Sequence, residues 1–288
     1  MEILQAKEKG FCFGVRRAIE LVEKAAEEYG RVETLGAIVH NQQVVDQLHS
    51  LGVEVCSDLD GIKGQVVAIS SHGVSPGLMN AVEARDAVTV IDTTCPFVRK
   101  AQRAAKRLAD GGFAVIIFGE PDHPEVRGVL GWGGERAIAT TDWTEGLTGL
   151  AKAKRLGIIS QTTQSLGRFA EFTKQIVDNK LGSLLELRVI NTICDATSRR
   201  QECALQLAHE VDLMIVVGGK NSANTRYLAQ ICHSAGVTTY HIETFKDLQT
   251  AWFAGRRKVG ITAGASTPDS VIDEVVREIA QLGDSLSL

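Results

Sequence analysis

Between residues 88 and 97 the chain reads Val88-Thr89-Val90-Ile91-Asp92-Thr93-Thr94-Cys95-Pro96-Phe97. It opens with four apolar or β-branched residues, which is typical of a buried strand. A polar turn with a thiol follows, and Pro96 favours the start of a helix, predicted over Phe97–Ala109. Because parallel strands need a crossover connection, usually a helix, this order indicates a parallel sheet covered by helices.

The same succession of short strand, polar turn and helix recurs along all 288 residues, so the sequence predicts an α/β protein. Further strands are predicted over Thr34–Val39, Val66–Ser70, Ala114–Phe118, Leu156–Ser160, Leu187–Asn191, Leu213–Val217, Thr238–His241 and Lys258–Thr262. Further helices are predicted over Val15–Tyr29, Leu166–Asn179, Arg199–Glu210 and Asn224–Ser234.

Composition and charge exclude several classes of protein. The chain is 44% hydrophobic and 23% charged, which is ordinary for a soluble globular protein. Its net charge of −4 argues against a nucleic-acid partner. No apolar run approaches the ~20 residues that cross a bilayer, and the first residues lack the apolar core of a signal peptide. We therefore expect a cytoplasmic protein, not associated with a membrane, whose six cysteines are not paired in disulfides.

Chemically capable side chains follow the ends of many predicted strands. In open α/β sheets ligands bind outside the carboxyl ends of the strands, so these residues predict one site built from several sheets. The residues in these positions are His40, His72, Cys95, His123, Glu125, Thr162, Cys194, Ser222, Ala223, Asn224 and Ser266.

Three cysteines share one local setting. Cys12, Cys95 and Cys194 each come shortly before a predicted helix, where the helix dipole favours the thiolate that binds metals. Gaps of 83 and 99 residues separate them, which suggests three small α/β units around a shared centre. Without a CxxC pair the spacing leaves zinc, an iron–sulfur cluster with one open iron, or no metal as alternatives. The remaining cysteines fit small buried apolar residues better: Cys56, Cys203 and Cys232.

Acid–base and anion-binding groups form a second set of candidates. His40, His72 and His123 are suited to an anion or proton site, because imidazole donates hydrogen bonds and titrates near neutrality. Glu125 is the candidate general acid if burial raises its pKa; the alternative is a loop carboxylate that caps the next segment. Residues 221–225 and 264–268 resemble N-cap sequences, which either cap helices or bind an anion.

Together these residues resemble a known family, the 4-hydroxy-3-methylbut-2-enyl diphosphate reductases of the non-mevalonate isoprenoid pathway. The matching segments occur in family order over nearly the whole chain, and the set is more specific than any one of them. The segments are Gly10-Phe11-Cys12-Phe13-Gly14-Val15, Val39-His40-Asn41, Ser71-His72-Gly73-Val74, Asp92-Thr93-Thr94-Cys95-Pro96, His123-Pro124-Glu125-Val126, Gln161-Thr162-Thr163, Cys194-Asp195-Ala196-Thr197, Lys220-Asn221-Ser222 and Thr262-Ala263-Gly264-Ala265-Ser266.

The resemblance implies three parallel-sheet α/β units in a pseudo-threefold trefoil around one 4Fe-4S cluster, or a 3Fe-4S cluster if it degrades. Cys12, Cys95 and Cys194 are the implied ligands, and the fourth iron is left open. The units are expected at residues 13–96, 97–191 and 192–288, the last joined by residues 1–12.

The resemblance also implies a reaction, the reductive dehydroxylation of the allylic diphosphate to isopentenyl and dimethylallyl diphosphate. Glu125 is the implied proton donor, and Thr162 is expected near the substrate hydroxyl. Because the sequence lacks a flavin or nicotinamide motif, we expect ferredoxin or flavodoxin as electron donor. Rival interpretations are a cluster dehydratase, a non-catalytic iron–sulfur sensor or carrier, and a zinc hydrolase. The implied diphosphate ligands are His40, His72, His123, Ser222, Asn224 and Ser266, with Ala223 contributing its backbone N–H.

Overall fold

A computed structural model describes residues 1–285, so the last three residues of the third predicted unit lie outside the described part. The chain divides into two compact units. The terminal unit comprises Met1–Val15, His40–Val44 and the chain from Asp195 onward. The central unit comprises Arg16–Val39 and Val45–Cys194.

Short strands alternate with helices throughout the described residues. The strands are β1 (Glu2–Gln5), β2 (Val32–Leu35), β3 (Val53–Cys56), β4 (Val66–Ile69), β5 (Thr89–Asp92), β6 (Ala114–Phe118), β7 (Ala137–Thr140), β8 (Arg155–Ser160), β9 (Glu186–Val189), β10 (Leu213–Val217), β11 (Thr238–Ile242) and β12 (Lys258–Ala263). The helices are α1 (Phe13–Tyr29), α2 (Gln42–Ser50), α3 (Pro76–Glu83), α4 (Pro96–Asp110), α5 (Pro124–Gly133), α6 (Trp143–Gly149), α7 (Leu166–Lys180), α8 (Asp195–Ala208), α9 (Ala223–Ser234) and α10 (Asp269–Ser285).

Within residues 1–285 the strands form three four-stranded sheets in which every neighbouring pair is parallel. The central unit contains two sheets, ordered β3-β2-β4-β5 and β7-β6-β8-β9, and the terminal unit contains the third, ordered β11-β10-β12-β1. The three sheets share one spatial strand order. In the first two, the strand that comes second along the chain lies at an edge and is followed by the first, the third and the fourth; in the last sheet β1 takes the place of the fourth strand. The predicted α/β class with parallel sheets is confirmed.

Strand β6 illustrates how the core is built. All five of its side chains are buried, and successive ones point to opposite faces. Val115 and Ile117 pack with α4 and α5, whereas Phe118 packs with Phe169 and Phe172 of α7. Truncating Phe118 to alanine is expected to cost about 3–5 kcal/mol of stability. This packing fixes the strand end from which the loop toward α5 departs.

The structure has helices outside the predicted ranges, namely α2, α3, α5, α6 and α10, and its strands differ from the predicted ones mainly at sheet edges. The strands β1, β3 and β7 were not predicted, and each forms an edge of its sheet. Edge strands are partly exposed and lack the continuous apolar run of a central strand. The predicted strand Thr34–Val39 is also too long, since β2 ends at Leu35 and the chain to His40 is irregular.

No helix of the described chain is both long enough and apolar enough to cross a membrane.

Candidate active site

In each of the three sheets the predicted site residues follow the strands in the same positions. The two central strands are followed by the acid–base and hydroxyl groups, at the point where the strand order reverses and ligands bind in open α/β sheets. The strand in the fourth position is followed by a cysteine: β5 by Cys95, β9 by Cys194 and β1 by Cys12. After β2, β4, β6, β8, β10 and β12 come, in turn, His40, His72, His123 with Glu125, Thr162, Ser222 with Asn224, and Ser266.

Each of the three cysteines directly precedes the first residue of a helix. These helices are α1, α4 and α8, and the three thiols are half-buried and not in disulfides. The third helix was predicted to begin near Arg199, but it begins at Asp195, so Cys194 has the same setting as the other two. Because a helix N-terminus favours an anion, all three positions favour the thiolate.

The loop that carries Cys95 is fixed by backbone hydrogen bonds within the central unit. The Cys95 N–H donates to the Ser71 carbonyl over 3.0 Å. One residue earlier, the Thr94 N–H donates to the Asp92 carboxylate over 2.9 Å, and Arg99 forms a salt bridge with the same carboxylate. Partial burial opposes ionisation of Asp92, but these donors prevail and lower its pKa. Asp92 therefore acts as an anchor for this loop.

The loop that carries Cys12 is fixed within the terminal unit by a buried arginine. Arg200 of α8 is 2% exposed, and its Nη2 donates to the Gly10 carbonyl over 2.8 Å. Gly10 has φ of +74°, which favours glycine, and the Cys12 N–H donates to the Ala265 carbonyl over 3.1 Å. Arg200 was not predicted from the sequence. Its helical spacing from the buried residues Thr197 and Ala204 was the available signal.

Glu125 lies at the second position of α5 and is 2% exposed. Its Oε1 accepts the Thr162 N–H and its Oε2 accepts the Thr162 hydroxyl, both over 2.7 Å. Burial raises the pKa of Glu125 to about 7, although the two hydrogen bonds from Thr162 oppose this shift. Near neutral pH the carboxyl therefore exists in both protonated and ionised forms, as a general acid requires. The Thr162 carbonyl accepts the Cys194 N–H over 3.0 Å.

His123 and His72 lie together near the start of α5. His123 is the N-cap of α5, and its Nδ1 accepts the Glu125 N–H over 3.2 Å. A neutral ring that accepts at Nδ1 carries its proton at Nε2, which makes Nε2 a donor. The His72 and His123 ring centroids are 5.5 Å apart and the rings are nearly perpendicular. After His72 comes Gly73, with φ of +67°, where a Cβ would approach the Gln102 side chain to 2.5 Å.

The start of α9 provides anion-binding groups in the terminal unit. Ser222 is the N-cap, and its hydroxyl accepts the Thr225 N–H over 3.4 Å. Asn224 is 3% exposed, yet within residues 1–285 neither its amide oxygen nor its amide nitrogen has a hydrogen-bond partner. Ala223 offers only its backbone N–H at this helix start. Unpaired N–H groups at a helix N-terminus attract anions, and an amide side chain beside them adds a donor.

His40 and Ser266 also belong to the terminal unit. The Ser266 hydroxyl donates to the His40 carbonyl over 3.4 Å. A Cβ at position 219 would lie 2.6 Å from the same carbonyl oxygen, so Gly219 permits this close approach. Burial and, secondarily, the charge of Arg226 lower the pKa of His40. The ring is therefore neutral at pH 7 and gains affinity for a proton when an anion binds beside it.

The donor set tests which inorganic group the chain can hold. Three half-buried thiols at helix starts match the thiolate ligands of iron–sulfur clusters and of zinc. The other cysteines have no such setting: Cys56 lies in β3 and Cys203 lies inside α8. Cys232 is fully buried, and burial raises the pKa of its thiol to about 12. The chemistry of Cys12, Cys95 and Cys194 therefore fits ligands of a metal or an iron–sulfur cluster.

These features define a class of α/β protein that carries thiols, imidazoles and a buried acid at the ends of parallel strands. The family model described as "LytB protein" matches residues 3–280, and the chain belongs to the LytB family. It is 47% identical over 283 residues to the 4-hydroxy-3-methylbut-2-enyl diphosphate reductase of Dehalococcoides mccartyi, covering 98% of this chain and 99% of that protein. It is 48% identical over 282 residues to the protein of the same name in Geobacter sulfurreducens, covering 98% of each.

Two solved structures are similar over nearly the whole chain. One is (E)-4-hydroxy-3-methyl-but-2-enyl diphosphate reductase, described as the terminal enzyme of the non-mevalonate pathway. It is 44% identical with a TM-score of 0.71, and the match covers 98% of this chain and all of that one. The other is the corresponding reductase of Plasmodium falciparum, 27% identical with a TM-score of 0.88, covering 96% and 87%.

Proposed function

We propose that this chain is the reductase that converts 4-hydroxy-3-methylbut-2-enyl diphosphate to isopentenyl and dimethylallyl diphosphate. The observation that carries the proposal is the buried pair of Glu125 and Thr162, in a member of a family whose relatives bear this activity in their names. The reaction breaks a C–O bond and forms a C–H bond. It consumes two electrons and two protons, and it releases water.

Members of the LytB family are generally iron–sulfur proteins. Cys12, Cys95 and Cys194 would hold a 4Fe-4S cluster through three thiolates. When bound, such a cluster supplies electrons and a Lewis-acidic iron for the substrate hydroxyl. The support in this chain is the shared setting of the three thiols, each fixed by a backbone N–H bond and each directly before a helix.

The diphosphate is bound by neutral donors. Ser222, Ala223 and Asn224 offer hydroxyl, N–H and amide groups at the start of α9, and Ser266 adds a hydroxyl. Asn224 gains most from the ligand, because its buried amide nitrogen lacks an acceptor at a cost of ~1–3 kcal/mol, and a diphosphate oxygen can accept from it. The imidazoles of His40, His72 and His123 are the remaining donors.

Glu125 supplies the proton for the departing hydroxyl. With a pKa of about 7, the carboxyl is protonated often enough to donate, and the carboxylate left behind is basic enough to regain a proton from solvent near neutral pH. The Thr162 hydroxyl, 2.7 Å from Oε2, orients the acid and is placed to pass the proton onward. His123 fixes the backbone of Glu125 through its Nδ1 and so positions the acid as well.

The electrons come from a ferredoxin or a flavodoxin, because the sequence has no motif for a flavin or a nicotinamide. A dehydratase, by contrast, consumes no electrons. Anaerobic turnover that occurs only with a reductant therefore supports the reductase, and product formed without any reductant contradicts it.

Glu125→Gln tests the acid directly. The substitution keeps the side-chain volume and removes the proton, so kcat is expected to fall ~10²–10⁴-fold with KM little changed. Turnover should be measured anaerobically with dithionite-reduced methyl viologen, and iron and sulfide content should equal that of the wild type. Glu171→Gln, an exposed residue of α7, is the matched control and should be fully active. A Glu125→Gln enzyme with more than half of wild-type kcat contradicts the proposal.

A further inference from the structure

The outer face of α4 is densely basic. Its inner face packs into the core of the central unit through Ala101, Ala105 and Leu108. An open surface depression runs along the outer face, and all but one of its lining residues are charged. It is lined by Pro96, Lys100, Arg103, Lys106, Arg107 and Asp110.

Much of this charge is uncompensated. Lys106 is paired with Asp110 over 2.9 Å. Within residues 1–285, however, Lys100, Arg103 and Arg107 have no ion-pair partner. The chain as a whole has a net charge of −4, so this helix face is a local exception rather than part of a basic surface. Complementary charge on a partner accelerates association and orients it.

The position of this face links it to the proposed cluster. Helix α4 begins directly after Cys95, and a helix rises 1.5 Å per residue. Lys100 and Arg107 therefore lie about 8 and about 18 Å along the axis from the thiol-bearing residue. Arg17 of α1 adds a further cation at the same end, because its Nη1 donates to the Thr94 carbonyl over 3.4 Å.

We propose that the basic face of α4 is the docking surface for a small acidic electron-carrier protein. This inference rests on the proposed function, which needs two electrons from outside the chain. Two reduced carriers each give up one electron and leave oxidised; docking itself makes and breaks no covalent bond. A membrane surface fits less well, because an interfacial helix turns an apolar face to the lipid and the apolar face of α4 is buried.

The test compares two charge reversals of equal size. Arg103→Glu with Arg107→Glu alters the basic face, whereas Lys24→Glu with Lys174→Glu alters exposed lysines of α1 and α7. Each double variant lowers the net charge by four. The probe is an acidic [2Fe-2S] ferredoxin, and the readout is its association rate with the cluster-loaded protein at about 0.05 M and about 0.5 M salt.

The first double variant is expected to slow association on the order of tenfold or more at low salt, and the difference should shrink at high salt. Its turnover with reduced methyl viologen should stay within about twofold of wild type, since that small radical cation needs no docking surface. Equal slowing by both double variants, or no slowing by the first, overturns the proposal. A membrane surface would replace the carrier protein under a different pair of results. The wild type would bind phosphatidylserine vesicles, only the first double variant would lose that binding, and ferredoxin association would be unchanged; this outcome also overturns the proposal. Failure of viologen-driven turnover in the wild type refutes the proposed function instead.

Discussion

Two groups of candidate residues, an acid half in the central unit (His123, Glu125 and Thr162) and an anion half in the terminal unit (His40, Ser222, Asn224 and Ser266), differ in how far their own hydrogen bonds are satisfied. Both Glu125 oxygens accept bonds from Thr162, and the Glu125 N–H donates to His123. In the anion half Asn224 is as deeply buried, yet its side chain has no partner among the described residues. A complete hydrogen-bond network holds the Glu125 carboxyl in a fixed geometry. An incomplete network leaves groups that a ligand can hydrogen-bond. Changes in the acid half should therefore act on kcat, and changes in the anion half on KM.

The largest effect of pH on folding should come from the burial of Glu125. Its pKa is about 7 in the folded chain and near 4.5 when unfolded, so the stability present below pH 4.5 is progressively lost up to about pH 7. The loss amounts to about 3 kcal/mol by linkage. Glu125→Gln does not titrate, so its stability relative to wild type should rise by about that amount between pH 4.5 and pH 8.

Urea unfolding of both proteins at several pH values measures this difference. Glu171→Gln should follow the wild type across the range, because Glu171 is exposed. Parallel pH curves for wild type and Glu125→Gln would mean that the carboxyl is not held in a medium that opposes its charge.

The next effect concerns the anion half. Asn224→Ala removes a buried amide whose bonds to a charged ligand are worth ~1.5–3 kcal/mol, so KM should rise ~10–100-fold with kcat nearly unchanged. Because Asn224→Ala removes a buried amide that has no partner among the described residues, its urea midpoint of unfolding should equal or exceed that of the wild type. Asn179→Ala, an exposed asparagine near the end of α7, is the control with normal KM. A fall in kcat without a change in KM would place Asn224 with the acid half and contradict its role in binding the diphosphate.

Much of this division could be predicted from the sequence. Apolar runs such as Ala114–Phe118 and Leu213–Val217 identified the central strands without error at either end, because strands buried on both faces leave a continuous signal. Polar residues after those strands then located His123, Glu125 and Ser222. Cys12 and Cys95 were singled out because each comes shortly before a predicted helix.

The remainder depends on long-range packing. Nothing local distinguishes Glu125 from a surface carboxylate; its pKa follows from burial and from Thr162, which lies 37 residues further along the chain. Arg200 meets Gly10 across 190 residues, and β1 completes a sheet with β12 from the other end of the chain. Edge strands and buried cations of this kind carry weak sequence signals, because their neighbours are supplied by distant segments.

Thr162→Val should affect the acid half more moderately. The substitution removes the hydroxyl bond that lowers the pKa of Glu125 but keeps the backbone N–H bond. The pKa should therefore rise, and the basic limb of the kcat–pH profile should move to higher pH. The value of kcat itself should fall ~10-fold, since orientation of the acid is lost. Thr148→Val on the exposed side of α6 should leave both unchanged. A shift of the profile to lower pH would contradict the hydrogen-bond assignment.

The smallest effect separates helix capping from ligand binding. Ser222 caps α9 and Ser75 caps α3, and each hydroxyl accepts the N–H three residues later, over 3.4 and 3.3 Å. Replacing either serine by alanine should cost ~1 kcal/mol of stability, because one N–H loses its cap. Only Ser222→Ala should also raise KM, by ~3–10-fold, since only that hydroxyl is proposed to contact the diphosphate. Equal stability losses with equal, unchanged KM values would show that Ser222 is a cap and nothing more. The anion half would then consist of Asn224, the α9 backbone, Ser266 and His40.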